Sequence, residues 1–165
     1  MALPQAALAS QAATPSFWGS HETSLGTNRY FKKWARVLQR VAKKNAALNE
    51  PCDPAPHANC GIFYWSKFID EIKDKSRPEQ IEAVNTYMNK VRYVRDPTNW
   101  NVKDYWETPW EFFEKQGDCE DYAVTKCMTF RRLGYPPADM RIVVVRDLYI
   151  NVSHALLLVR QGEIL

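Results

Sequence analysis

Cys119 and His154 are the two residues whose types and positions could make and break an acyl bond. A cysteine attacks a carbonyl as thiolate, and the unpaired N–H groups and dipole of a helix N-terminus favour that form. Cys119 stands at such a position. Asp118 is a natural N-cap, Asp121 puts a second carboxylate in the first turn, and Cys119–Leu133 runs without a breaker until Gly134 and Pro136-Pro137. The same N–H groups could stabilise the oxyanion formed by attack. A base must then take and return the proton. Of the three histidines, His21 falls near the N-terminal tail and His57 in a cysteine-flanked loop, so only His154 follows the helix on an element able to pack against it. A buried structural thiol and a satisfied core histidine are the plain alternatives for each residue alone. Together they point to nucleophilic catalysis, whereas Cys127, deeper in the same helix, reads as a packing residue.

Three carboxylates crowd the nucleophile: Asp118, Glu120 and Asp121. They stabilise a helix start but oppose formation of a neighbouring thiolate. A bound cation would relieve that conflict, and carboxylate oxygens are the ligands calcium takes. Spacing alone supports simple helix capping equally well.

The elements that position these residues follow from periodicity. Tyr30, Phe31, Trp34, Val37, Leu38 and Val41 form one face of a helix over 28–44, with a basic opposite face that reads as solvated. Trp65, Phe68, Ile69 and Ile72 mark a second helix, and a third runs from Pro78 through Val91. The polar stretch Arg95–Lys103 reads as a loop, and Thr108-Pro109-Trp110-Glu111 as the capped start of a short helix ending near Gly117. The helix from Cys119 carries apolar residues on more than one face and should be largely buried. The period then changes to that of strands, at Met140–Val145 and Ala155–Val159, with the start of a third at 162–165. Helices followed by an antiparallel sheet make an α+β fold.

At 165 residues the chain fits one domain, assigned to 17–165. Residues 1–16, uncharged and rich in Ala, Ser, Pro and Gln, read either as a disordered tail or as a signal-peptide remnant with the first mature residues. A net charge of +3 gives no reason to expect a nucleic-acid partner, and no apolar run approaches the roughly 20 residues of a membrane helix, so no membrane insertion is expected. Four cysteines allow three complete pairings. Eight helical positions separate Cys119 from Cys127, about 12 Å, too far for a disulfide. Cys52 and Cys60 flank a short Pro-rich loop, so a Cys52–Cys60 disulfide and two free thiols are expected, in an oxidising compartment. Metal binding by Cys52, His57 and Cys60 is the weaker alternative, since it lacks a fourth ligand.

Gly117-Asp118-Cys119-Glu120-Asp121-Tyr122-Ala123, preceded by Trp106-x-Thr108-Pro109-x-Glu111 and followed by Ser153-His154-Ala155, resembles the bacterial transglutaminase-like cysteine proteinases, whose best-known members are periplasmic LapG-type proteases. The likeness runs from about Val84 to Val159. It implies a papain/transglutaminase-like fold and a Cys-His-Asp triad, with Cys119 as nucleophile and His154 as general base and acid. The family's aspartate follows on the next strand, in a Leu-Asp-Asn-like stretch that here would fall past Leu165; Asp147 and Asn151 do not match it. The expectation is either a chain shortened before that strand or a protein that works poorly or not at all. The resemblance further implies calcium beside the active site, held by residues matching Asp118, Glu120 and Asp121. It also implies a large bacterial surface adhesin as substrate, release of cells from a biofilm, and sequestration by an inner-membrane receptor for cyclic di-GMP. A periplasmic or secreted location goes with these. Transglutaminase-type acyl transfer through the same acyl-enzyme, and a non-catalytic binding module of the same fold, are the competing readings.

Overall fold

The computed structural model describes residues 31–44, 60–149 and 151–161. The tail at 1–16, His21, Cys52, His57 and the third strand expected at 162–165 lie outside the described residues. Among the described residues, six α-helices precede one hairpin: α1 (Lys32–Lys44), α2 (Gly61–Ile72), α3 (Arg77–Met88), α4 (Asp96–Asn99), α5 (Pro109–Lys115), α6 (Cys119–Arg132), then β1 (Met140–Arg146) and β2 (Ser153–Val159). The α+β order is as the periodicity predicts. The exception is α4, a single turn inside the stretch read as a loop. Asp96-Pro97 opens it, with Pro at a first-turn position where its missing N–H costs nothing.

The core is the meeting of the faces read from the sequence. Trp65, Phe68, Ile69 and Ile72 of α2, Val84 and Met88 of α3, Phe112 of α5 and Val124, Cys127, Met128 and Phe130 of α6 are buried together with Val37 of α1. Phe68 stacks on Tyr87 with ring centroids 3.9 Å apart. The indole N–H of Trp65 donates to Thr129 Oγ1 at 2.8 Å, and Thr129 in turn donates to the Thr125 carbonyl, so these polar groups of the core are partnered. α6 is buried on most of its surface. It stops where Gly134 takes φ 87°, with Tyr135 N–H returning to the Phe130 carbonyl and Gly134 N–H to that of Arg131.

Arg40 carries α1 onto the loop ahead of α5. Its guanidinium contacts both Glu111 oxygens, at 2.9 and 2.8 Å, and donates to the Trp106 carbonyl and the Tyr105 hydroxyl. Glu111 meanwhile receives the N–H of Thr108 at 2.7 Å and so caps α5. One charge pair therefore ties an N-terminal helix to the segment leading into the site. β1 and β2 pair antiparallel from Met140↔Val159 to Arg146↔Ser153, with His154 opposite Val145. Ala155, Leu157 and Val159 of β2 and Ile142 of β1 turn to the core, and β2 packs on α6. No helix among the described residues is long and apolar enough to cross a membrane.

Candidate active site

The site is built around the start of α6. Gly117 pairs with Tyr93 in a parallel bridge, and Val94 N–H donates to its carbonyl at 2.9 Å, which fixes the backbone just before the helix. Asp121, fully buried, then binds two backbone N–H groups. Its Oδ2 accepts from Asp118 at 2.9 Å and its Oδ1 from Glu107 at 2.8 Å. The carboxylate thus satisfies a donor at the helix start and anchors the segment 104–108 beside it. The capping reading of Asp121 has this geometric content, with both of its oxygens engaged.

Cys119 is the first residue of α6 and is half-buried, a free thiol like the buried Cys127. Its Sγ–H donates to Glu120 Oε2 at 3.0 Å. β2 packs on α6, and the Ala155 N–H on that strand favours the Cys119 thiolate electrostatically. That packing brings β2 to the helix that starts at Cys119, with His154 the residue before Ala155 on the strand. Among the described residues no carboxylate accepts a hydrogen bond from the His154 ring. Burial, followed by the Glu120 hydrogen bond, pushes the Cys119 thiol up to about 11; the Ala155 N–H works in the opposite direction. Cys127 is also raised to about 11, by burial within the core. Cys60 is disulfide-bonded, while its expected partner Cys52 lies outside the described residues.

The acidic surroundings extend further than the sequence suggested. Asp96, Asp104, Asp118, Glu120 and Asp121 converge, with ligand atoms of Asp96, Asp104 and Glu120 within 4.8 Å of one another, and those of Asp96, Asp118 and Asp121 likewise. Burial raises Asp118 to about 7, helped by its hydrogen bond with Glu120. It raises Asp96 to about 6 and Asp121 to about 9, the latter also through the Glu107 charge. Glu107, fully buried, rises to about 8 although the Trp100 indole N–H donates to it and Asn99 Nδ2 approaches at 3.2 Å. No Lys or Arg among the described residues hydrogen-bonds to Asp96, Asp118, Glu120 or Asp121; Lys33 pairs with Asp104 instead.

A hard divalent cation fits this donor set. Buried Oδ1 atoms of both Asp96 and Asp118 lack any hydrogen-bond partner among the described residues, which is costly unless something binds them. Two of the groupings are carboxylate oxygens alone, the donors that calcium takes rather than zinc, while a third brings the Cys119 sulfur within the same distance of Asp118 and Glu120. The sequence reading named Asp118, Glu120 and Asp121 and missed Asp96 and Asp104. For Asp96 a signal existed, since Asp followed by Pro marks a helix start. Asp104, between Lys103 and Tyr105, carries none.

Comparisons with known proteins agree with this geometry. The family described as bacterial transglutaminase-like cysteine proteinase BTLCP matches residues 38–164. Among solved structures, Legionella pneumophila LapG is 36% identical, covering 58% of this chain and 54% of its own, with a TM-score of 0.52. Calcium-bound Legionella pneumophila LapG is 28% identical over 74% of this chain and 63% of that one, with a TM-score of 0.54. The chain therefore spans less than two thirds of the length of these relatives. A comparison with curated protein sequences finds no match.

Proposed function

Because the chain belongs to the bacterial transglutaminase-like cysteine proteinases, we propose that it hydrolyses peptide bonds through a thioester on Cys119, with His154 as base and acid. The observation that carries this reading is the packing of β2 on α6, which brings the strand bearing His154 against the helix that starts at Cys119. His154 takes the thiol proton. The thiolate attacks the carbonyl carbon, a C–S bond forms, and the π pair moves onto oxygen, where N–H groups at the start of α6 can meet it. Collapse breaks the C–N bond and the leaving amine takes the proton from His154. Water, deprotonated by the same ring, then releases the acid and restores the thiol.

The cofactor in this reading is calcium, held by Asp96, Asp104, Asp118 and Glu120, with Asp121 fixing the backbone beneath them. When bound, its charge offsets the carboxylates that otherwise hold the Cys119 thiol protonated. The orphaned Asp96 and Asp118 oxygens support this, and so does the existence of a calcium-bound LapG structure. On the family resemblance we extend the proposal to a periplasmic or secreted setting, a large bacterial surface adhesin as substrate, a role in biofilm release, and an inner-membrane cyclic di-GMP receptor as partner.

The test is cleavage of an adhesin N-terminal fragment by the wild type, Cys119→Ser and His154→Ala, with calcium and with EGTA. Cleavage is expected from the wild type with calcium alone. Undiminished cleavage by Cys119→Ser would overturn the assignment. Incorporation of an amine into a glutamine peptide, without hydrolysis, would move the activity to acyl transfer.

A further inference from the structure

Arg40 lies far along the chain from the motif around Cys119, yet it holds the segment that borders the acidic cluster. That segment, 104–108, has neither helix nor strand of its own, so its backbone groups must find partners elsewhere. The N–H of Tyr105 donates to Asp96 Oδ2 at 2.6 Å, and that of Glu107 to Asp121 Oδ1 at 2.8 Å. Both acceptors are buried carboxylates of the cluster. The Trp106 carbonyl, between these two N–H groups, accepts from Arg40 Nη2. Arg40 Nη1 donates to the Tyr105 hydroxyl and to both Glu111 oxygens, at 2.9 and 2.8 Å. The guanidinium also lies over the Tyr105 ring, 4.8 Å from its centroid, and the Tyr105 hydroxyl donates to Glu111 Oε1 at 3.0 Å. The segment is thus gripped by the cluster at 105 and 107, and by one side chain of α1 at 105 and 106. Lys33, two turns earlier on α1, pairs with Asp104 at its start.

Ligand atoms of Asp96, Asp104 and Glu120 lie within 4.8 Å of one another. Carboxylates brought that close repel one another, so their convergence needs a restraint from outside the cluster. We propose that Arg40 is a positioning residue for the cation site. By fixing segment 104–108 it keeps Asp96 and Asp104 beside Asp118 and Glu120. The proposal rests on the reading of this cluster as a calcium site. Among the described residues Arg40 hydrogen-bonds to none of the cluster's carboxylates, so it acts through the backbone at 105–107. Its shape matters as well as its charge. Nη1 and Nη2 serve different partners at once, which a fork allows and the point charge of an ammonium does not. Glu111 keeps that fork aimed, and Glu111 is itself held by the Thr108 N–H at 2.7 Å. The cluster, the segment and α1 therefore form one connected network, in which α1 supplies the only arginine of the described residues bonded to 104–108.

Arg40→Lys keeps the charge and loses the fork, and Arg40→Ala loses both. Arg77→Ala is the control, since it removes another part-buried ion pair, that with Asp139 at 3.2 Å, from elsewhere in the fold. Two measurements read the result. Calorimetric titration with calcium alone should show affinity about tenfold weaker in Arg40→Lys and up to about 100-fold weaker in Arg40→Ala. That is the range found when a group orienting metal ligands is lost, and Arg77→Ala should stay near wild type. Hydrogen exchange in EGTA, read by mass spectrometry on the peptide covering 104–108, should speed up about tenfold in both Arg40 variants, while the peptide from α2 keeps its rate. Wild-type calcium affinity in both Arg40 variants overturns the proposal. So does exchange at 104–108 that is unchanged, or that rises equally in α2, which would mean a general loosening. A wild-type chain that binds no calcium refutes the calcium reading instead. The exchange measurement needs no metal, so it then decides by itself whether Arg40 holds the segment.

Discussion

Replacing Gly117 by Ala should unseat the residue that sets the start of α6. A Cβ at position 117 would lie 2.4 Å from Asp121 Oδ2, 2.7 Å from its Cβ and 2.9 Å from its Cγ. Rotating the Asp121 side chain could move the oxygen, but the Asp121 Cβ is fixed to the helix, so backbone must shift as well. Asp121 is fully buried and binds the Asp118 and Glu107 N–H groups at 2.9 and 2.8 Å. Losing these two bonds costs roughly 1 kcal/mol each when taken as ordinary hydrogen bonds. Overpacking adds about 1–3 kcal/mol. The sum, about 3–5 kcal/mol, is a large part of a typical domain's ~5–15 kcal/mol. Urea unfolding followed by tryptophan fluorescence would read it. With a slope of about 2 kcal/mol per molar, the midpoint should fall by roughly 2 M. Iodoacetamide should also label Cys119 at a changed rate in the folded variant, because the same carboxylate locates the helix start. A loss below about 1 kcal/mol with unchanged labelling would refute the reasoning, since it would mean that Asp121 moves aside freely and does not fix the backbone at Cys119.

Asp96→Asn should weaken calcium binding at least tenfold by isothermal calorimetry, because a central carboxylate shared by two of the ligand groupings is lost; an unchanged affinity would move the cation elsewhere. In EGTA, stability should fall as pH rises. Asp96, Glu107, Asp118 and Asp121 all have folded values above their ordinary ones, so their contribution is fully present below about 4 and is lost as pH passes through about 6 to 9. Thermal melts between pH 5 and 9 check this, and saturating calcium should flatten the slope; a rise in stability with pH in EGTA would contradict the burial argument. Iodoacetamide on the native protein should modify Cys119 well before Cys127, since the latter is 6% exposed and packed among core side chains; peptide mapping that showed the reverse would exchange their roles.

The parts of this protein that were legible in the sequence are those governed by local rules. Val37, Trp65, Phe68, Ile69, Val84 and Met88 fell on the buried faces that their spacing predicts, because a helix of period 3.6 puts such residues on one side whatever it packs against. Cys119 at a helix start followed from Asp118, Asp121 and the breakers Gly134 and Pro136, all of which act within a turn or two. The one-turn α4 escaped because a polar stretch with a single proline outweighs a short capping signal, and Asp96 was missed as an acidic group of the site with it.

Sequence alone determined the order of elements, the place of Cys119 at a helix N-terminus and that of His154 on the second strand, since each depends on neighbours along the chain. Tertiary structure decided which distant residues share the space around the sulfur. Asp96 from α4, Asp104 from the loop before α5 and Asp118 with Glu120 at the start of α6 converge only because Asp121 and the Tyr93–Gly117 bridge hold three segments together. The raised carboxylate values exist for the same reason. Burial and mutual repulsion are properties of a shared volume, and no local period or spacing records which loops will come to enclose it.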